Sequence, residues 1–234
     1  ADKLSELLVT VRAVSAALGV SGHKELLNGF RAVGVKNLAG LHRAVKKLNG
    51  DVNVIKASSK DAEDELKKLA AKEAQLSYVK RLGLSLESFT EYKSLAYFAG
   101  VVKDTSRLRE SVLALTDKFE LFSAEDKSGF LVALFVDASK KAGVADALAG
   151  SGFSELPIAE VKGLTGPVAS AAEAVARRKE KLQAQLGSNK DSLAKLGGKW
   201  NDFLLLSEQL LVAELEKAQA PLRFAVSRNA FVVR

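Results

Sequence analysis

Through the first 93 residues, apolar side chains recur at spacings of three and four, which predicts amphipathic helices. Leu4, Leu7, Leu8, Val11, Val14 and Leu18 form one stripe. Gly19, Ser21 and Gly22 interrupt it. It resumes at Leu26, Leu27, Phe30 and Val33, breaks at Gly34, and continues with Leu38, Leu41, Val45 and Leu48. Asn49-Gly50 then reads as a helix C-cap, and Ser58 or Ser59 as the N-cap of another helix. The first turns of that helix hold Asp61, Glu63, Asp64 and Glu65, where the helix dipole favours anions. Its inner positions follow a heptad through Ala62, Leu66, Leu69, Glu73, Leu76 and Lys80.

A longer heptad series runs from Val168 through Ala172, Val175, Lys179, Leu182, Leu186, Asn189, Leu193, Leu196, Trp200, Phe203, Ser207 and Leu210. Alternating steps of four and three predict a coiled-coil-like seam facing a partner helix. Some 50 helical residues would span roughly 75 Å at the α-helical rise. Polar Lys179, Asn189 and Ser207 weaken the seam. Gly187, Gly197 and Gly198 each cost about 1 kcal/mol relative to Ala and read as points of curvature in one bent rod. Two helices broken near Ser188 are the alternative.

Between these arms the rhythm changes. Ser94–Val102 and Gly129–Val136 are apolar and rich in Val and Phe, the pattern of buried strands. Phe119–Ser123 and Phe153–Ile158 are shorter strands, the latter stopped by Pro157. Ser106–Lys118 and Lys140–Leu148 are helical, and Leu108, Val112 and Leu115 form the apolar face of the first. The order β-α-β-β-α-β predicts a four-stranded antiparallel sheet with two helices on one face. Phe224/Val226 and Phe231/Val233 alternate like a strand or hairpin whose sheet partners lie elsewhere. The expected fold is therefore α+β. A long, bent, antiparallel helical hairpin, coiled-coil-like, carries a small ferredoxin-like β-α-β-β-α-β lobe at its tip. Residues 1–93 form the ascending arm, 94–162 the distal lobe, 163–220 the descending helix and 221–234 a returning strand.

Composition narrows the function. The 234 residues contain 35 Lys+Arg and 28 Asp+Glu, a net charge of +7, and no Cys or Met. Without Cys there is no disulfide framework, thiolate metal site or cysteine nucleophile. A hydrophobic share of 47% and a charged share of 27% exclude a disordered chain. No apolar run approaches the ~18–20 residues that cross a bilayer, and no signal peptide opens the chain, so a soluble, cytosolic polypeptide is expected. The missing methionines suggest a processed chain or a piece of a longer one. The basic excess invites a nucleic-acid or anionic-membrane reading, but it is not central. Residues 1–56 carry 9 basic against 4 acidic side chains and 218–234 carry 3 arginines and no acid, whereas 95–160 carry 7 basic against 10 acidic. The run Arg177-Arg178-Lys179-Glu180-Lys181, with Glu173 and Glu180 beside it, reads as a solvated helix face.

Candidate chemistry is sparse. His23 and His42 have no metal-ligand spacing and read as half-exposed helix residues. The chain contains no phosphate-binding, dinucleotide, zinc-protease or serine-elbow motif. Asp64 with Lys67 and Lys68 is ion-pair patterning. Asp104 reads as a helix N-cap, and Trp200 and Phe203 as packing residues. No catalytic, cofactor-binding or metal-binding residue is assigned. An RNA-recognition motif shares the β-α-β-β-α-β order, and Tyr97-Phe98-Ala99-Gly100 and Lys127-Ser128-Gly129-Phe130 echo its signature strands. Val132 stands where the second strand should carry an aromatic, and the acidic lobe opposes phosphate binding.

One further pattern is specific. Leu84-Ser85-Leu86-Glu87-Ser88-Phe89 leads into Leu95–Val102 and Lys103-Asp104-Thr105. Later come Leu131–Asp137, Gly152-Phe153-Ser154-Glu155-Leu156-Pro157, Gly163-Leu164-Thr165-Gly166-Pro167 and the closing Asn229-Ala230-Phe231-Val232-Val233-Arg234. Together these resemble the cytoplasmic half of subunit I of A/V-type ATPases, the homologue of subunit a of vacuolar ATPases. The family's first strand-helix-strand segment would precede Ala1, and its membrane half would follow Arg234. The resemblance implies a non-catalytic stator segment of a rotary, proton-translocating ATPase, with residues 221–234 returning to a proximal lobe. It also implies no cofactor, and docking of the peripheral-stalk heterodimer of subunits E and G on the 94–162 lobe. The cytoplasmic face of a membrane is the implied location, with the basic chain ends near anionic headgroups. A coiled-coil scaffold of unrelated function is the rival reading.

Overall fold

The computed structural model describes residues 2–21, 37–90, 92–127, 129–220, 224–226 and 231–233. The stripe from Leu26 to Val33, its glycines Gly22 and Gly34, and His23 lie outside the described residues. Two compact units divide the chain, residues 1–63 with 183–234, and residues 64–182.

The first unit is helical. It holds α1 (Asp2–Leu18), the first part of α2 (Leu38–Arg81) and the later part of α5 (Val168–Gln219). The predicted stripe of α1 is its core face, with Leu7, Leu8, Val11, Val14 and Leu18 buried. They pack with Leu41, Val45, Leu48 and Val52 of α2 and with Phe203, Leu204 and Leu211 of α5. Outside the core, Arg12 Nε donates to Glu208 Oε1 at 2.7 Å. β5 (Phe224–Val226) and β6 (Phe231–Val233) pair antiparallel with each other, Phe224 opposite Val233, and among the described residues with no distant strand.

Two expectations about the helices are corrected. Asn49-Gly50 is not a C-cap and Ser58/Ser59 is not an N-cap, because α2 runs unbroken through both. Val45, Leu48, Val52 and Ala62 keep one buried stripe across the break, and Ser59 Oγ donates back to the Ile55 carbonyl within the helix. The heptads also drift. Near the end of α2, Lys80 is exposed while Tyr78 and Val79 are buried, and near the end of α5, Leu210 is exposed while Leu211 is buried. A straight helix of 3.6 residues per turn rotates about 20° per heptad, and other packed elements widen the buried stripe. Gly197 also lets α1 approach closely: a Cβ there would lie 2.7 Å from the Leu18 carbonyl oxygen at the end of α1. α5 is one continuous helix through Ser188.

The second unit holds the sheet. β1 (Leu95–Val102), β2 (Phe119–Asp126), β3 (Gly129–Asp137) and β4 (Ser154–Glu155) lie in the order β2-β3-β1-β4, every neighbour antiparallel. α3 (Thr105–Leu113) joins β1 to β2, and α4 (Lys141–Gly150) joins β3 to β4. This is the expected ferredoxin-like arrangement and an α+β fold. β4 keeps two paired residues of the predicted Phe153–Ile158 strand, and Ile158 is buried instead against the helices. α3 ends at Leu113, short of the predicted Lys118, so Leu115 leaves the apolar face and is 42% exposed. Thr116 Oγ1 accepts from the Lys118 backbone N–H at 3.1 Å just beyond that end.

Strand alternation sends side chains to two faces. On one, Ala96, Val102, Val132, Leu134 and Val136 pack with Leu108 and Val112 of α3 and with Val144 and Leu148 of α4. On the other, Ala99, Leu131, Ala133 and Phe135 pack with Leu76, Val79 and Leu82 of α2, Val175 of α5, and Leu86 and Phe89 of the short 3-10 turn Leu86–Phe89. With layers on both faces, β3 is buried at six successive residues from Leu131 to Val136, which explains its unbroken apolar run.

Candidate docking site on the four-stranded lobe

Among the described residues, no group of three or more His, Cys, Asp or Glu side chains could hold a metal ion. His42 is exposed on α2. Asp104 caps α3, its Oδ1 accepting from the Ser106 and Arg107 amides at 2.8 and 3.3 Å. Trp200 packs edge-on against Phe203 with ring centroids 5.1 Å apart. Both side chains therefore have structural roles. No helix of the described residues is long and apolar enough to cross a membrane.

The polar positions of the two long helices meet one another. Arg178 forks onto Glu65, Nε and Nη2 donating to Oε1 and Oε2 at 2.6 and 2.7 Å. The guanidinium lowers the Glu65 pKa by hydrogen bonding, and the carboxylate raises that of Arg178. Lys179 Nζ donates to Glu73 at 2.6 Å. Asn189 Nδ2 lies 3.1 Å from both Ser58 Oγ and Ser59 Oγ, and Gln185 Nε2 lies 2.9 Å from Ser58 Oγ. Ser207 is buried and donates to the Phe203 carbonyl of its own helix at 2.6 Å. The basic run at 177–181 is thus only partly a solvated face: Arg178 and Lys179 pair across to α2.

The sheet face turned away from α3 and α4 is the one an RNA-recognition motif would expose, and here it is covered. Phe89 stands edge-on to Tyr97 at 5.5 Å between ring centroids and lies 5.9 Å from Phe135. Buried Tyr78 donates its hydroxyl to the Val132 carbonyl, and burial pushes its phenol well above the usual range. The turn carrying Phe89 is tied down by Glu87, whose carboxylate accepts from the Gly166 amide at 2.7 Å. That bond, with help from its own amide and the Ser85 hydroxyl, lowers the Glu87 pKa. Arg81 Nη1 donates to Asp126 Oδ1 at 2.7 Å at the far end of β2, and its Nη2 to the Glu125 carbonyl.

Coverage stops short of the β2 edge. A groove of about 730 Å³ lies there, lined by Leu84, Ser88, Tyr92, the start of β1, the start of β2 and the end of β3. Tyr92, Leu95 and Phe122 are 49%, 41% and 37% exposed in it. Asp117, Lys118, Glu120 and Asp137 supply its charge. The Asp137 pKa is lowered, chiefly by the Ser139 hydroxyl, which donates to it at 2.6 Å. Tyr92 and Phe122 were not singled out in the sequence. For Phe122 the signal was an aromatic at an outward-alternating position of a short strand; Tyr92, which precedes β1, gave none.

Fold and surface define a class: an α+β module with two long helices paired through polar side chains and a four-stranded ferredoxin-like sheet. No family model matches the chain. It is 28% identical over 246 residues to A-type ATP synthase subunit I of Halobacterium salinarum, covering 99% of this chain and 31% of that protein. It is 26% identical over 169 residues to A-type ATP synthase subunit I of Archaeoglobus fulgidus, covering 71% of this chain and 24% of that protein. The chain thus spans about a third or less of the curated relatives it matches. The crystal structure of the cytoplasmic N-terminal domain of subunit I, homologue of subunit a of V-ATPase, shares the fold with a TM-score of 0.65 and 14% identity, over 94% of this chain and 71% of that one. The resemblance read from the motifs therefore holds: this chain is similar to the N-terminal part of rotary-ATPase subunit I.

Proposed function

We propose that the chain is a non-catalytic stator segment of a rotary, proton-translocating ATPase, a part of subunit I on the cytoplasmic face of the membrane. In that role it links the membrane ion-channel half of its subunit to the peripheral stalk and resists rotor torque. The observation that carries this reading is the similarity to A-type ATP synthase subunit I across 99% of the chain. The side-chain chemistry agrees with it, because functional polar groups are spent on tying helices together rather than on a reaction centre. Residues 94–162 serve as the distal docking lobe, between an arm of residues 1–93 and a descending helix of 163–220, with 221–234 returning to the proximal lobe. The partner is the E–G heterodimer. Calorimetric titration of the purified heterodimer into this chain gives saturable heat. Absence of heat at protein concentrations on the order of tens of micromolar overturns the reading.

A further inference from the structure

We infer that a basic amphipathic helix of the stalk partner docks in the groove formed by Tyr92, Leu95 and Phe122, closing the open part of the sheet beside β2. The inference rests on the stator reading and says where on the lobe, and by what chemistry, the partner is held.

Three observations lead there. The first is incomplete coverage. Phe122 touches Phe135 edge-on at 5.9 Å between ring centroids, so it continues the aromatic layer of Phe89, Tyr97 and Phe135. Unlike buried Phe89, it is still more than a third open. With Tyr92, Leu95 and Phe135 it supplies the apolar side chains that line one groove, the kind of surface that marks an interaction site.

The second is direction. The groove is lined by the starts of β1 and β2 and the end of β3, so it crosses three neighbouring strands instead of following one. Three strands spaced about 4.8 Å apart present roughly 10 Å, the width of one helix. A strand added to the β2 edge would run along β2 and leave Leu95 uncovered.

The third is charge. The rim carries Asp117, Glu120 and Asp137 against Lys118. Among the described residues, Asp117 and Glu120 form no ion pair. The whole 95–160 segment is likewise acidic, with 7 basic against 10 acidic side chains. An acidic rim around an apolar floor selects a helix with Lys or Arg flanking an apolar stripe.

The test titrates the E–G heterodimer into the whole chain and into three variants, at low and high salt. Phe122→Ala is expected to weaken binding at least about tenfold, as loss of a central aromatic anchor does. Glu120→Lys is expected to weaken it and to flatten its salt dependence, since the attraction is screened within about 10 Å at 0.1 M salt. Asp146→Lys, on the exposed side of α4, leaves affinity unchanged. All three positions are exposed, and far-UV circular dichroism confirms unchanged helicity. If the unaltered chain binds and both groove variants bind equally well, the groove is wrong while the stator reading stands. If the unaltered, folded chain gives no binding, the stator reading itself falls. Tighter binding by Glu120→Lys overturns the basic partner. Hydrogen-exchange protection confined to the β2 edge amides, with none at Leu95, overturns the helix in favour of an added strand.

Discussion

The two faces of the four-stranded sheet are built to different standards. The face under α3 and α4 is aliphatic, filled by Val132, Leu134 and Val136 against Leu108, Val112, Val144 and Leu148. It is closed by elements that the sheet's own crossover connections supply. The opposite face is aromatic, and its cover comes from farther away in the chain: the end of α2, the start of α5 and a single 3-10 turn bearing Phe89. Crossovers complete a face automatically. A face covered by borrowed elements is complete only where they reach, and these do not reach Phe122. An intrinsic core and an assembled one therefore sit back to back across the same strands.

That contrast can be broken by mutation. Phe89→Ala is expected to have the largest effect, about 3–5 kcal/mol in a urea titration, because it removes the centre of the aromatic layer. A loss below about 1 kcal/mol would mean that the assembled face is only a loose lid. Leu134→Ala on the intrinsic face should cost about 3 kcal/mol, within the range for a fully buried leucine. Tyr78→Phe should cost about 1 kcal/mol, since it strands the Val132 carbonyl in a buried site, and stability of the variant and parent chains reads it directly. The smallest effect concerns Glu87. Its folded pKa is below the ordinary 4.5, so its contribution is present above that value and lost as pH falls through the folded pKa. On acidification below pH 4.5, the melting temperature of the parent chain should fall more steeply than that of Glu87→Gln. Parallel curves would show that the Gly166 contact does not hold the turn.

The intrinsic face was legible in the sequence, because strand alternation and helix spacing are local and the β-α-β-β-α-β order fixes which helices cover it. The assembled face was not. Leu86 and Phe89 sit in a short turn with no period, and Leu82 and Val175 join one core cluster only after two long helices have come together. Local chemistry also misled where one residue type serves two ends. Ser59 can cap a helix or bond back inside one, and only the buried stripe through Val52 and Ala62 decides between them. Lys179 and Asn189 were visible as flaws in a heptad, but their partners Glu73, Ser58 and Ser59 lie more than 100 residues away in sequence. For the docking site, the sequence located the acidic segment and missed Tyr92 and Phe122, whose exposure depends on where the cover stops.

The matched polar pairs have a mechanical consequence. A sideways load on two antiparallel helices acts first as slippage of one along the other, and an unbroken leucine seam resists that weakly because leucines are interchangeable. Here a slip of one turn, about 5.4 Å, would leave Lys179 and Asn189 facing apolar neighbours and would part Arg178 from Glu65. The pairs act as the teeth of a rack. They add little to the free energy of folding, yet they allow only one alignment, so a helix pair tied this way yields by bending before it yields by sliding.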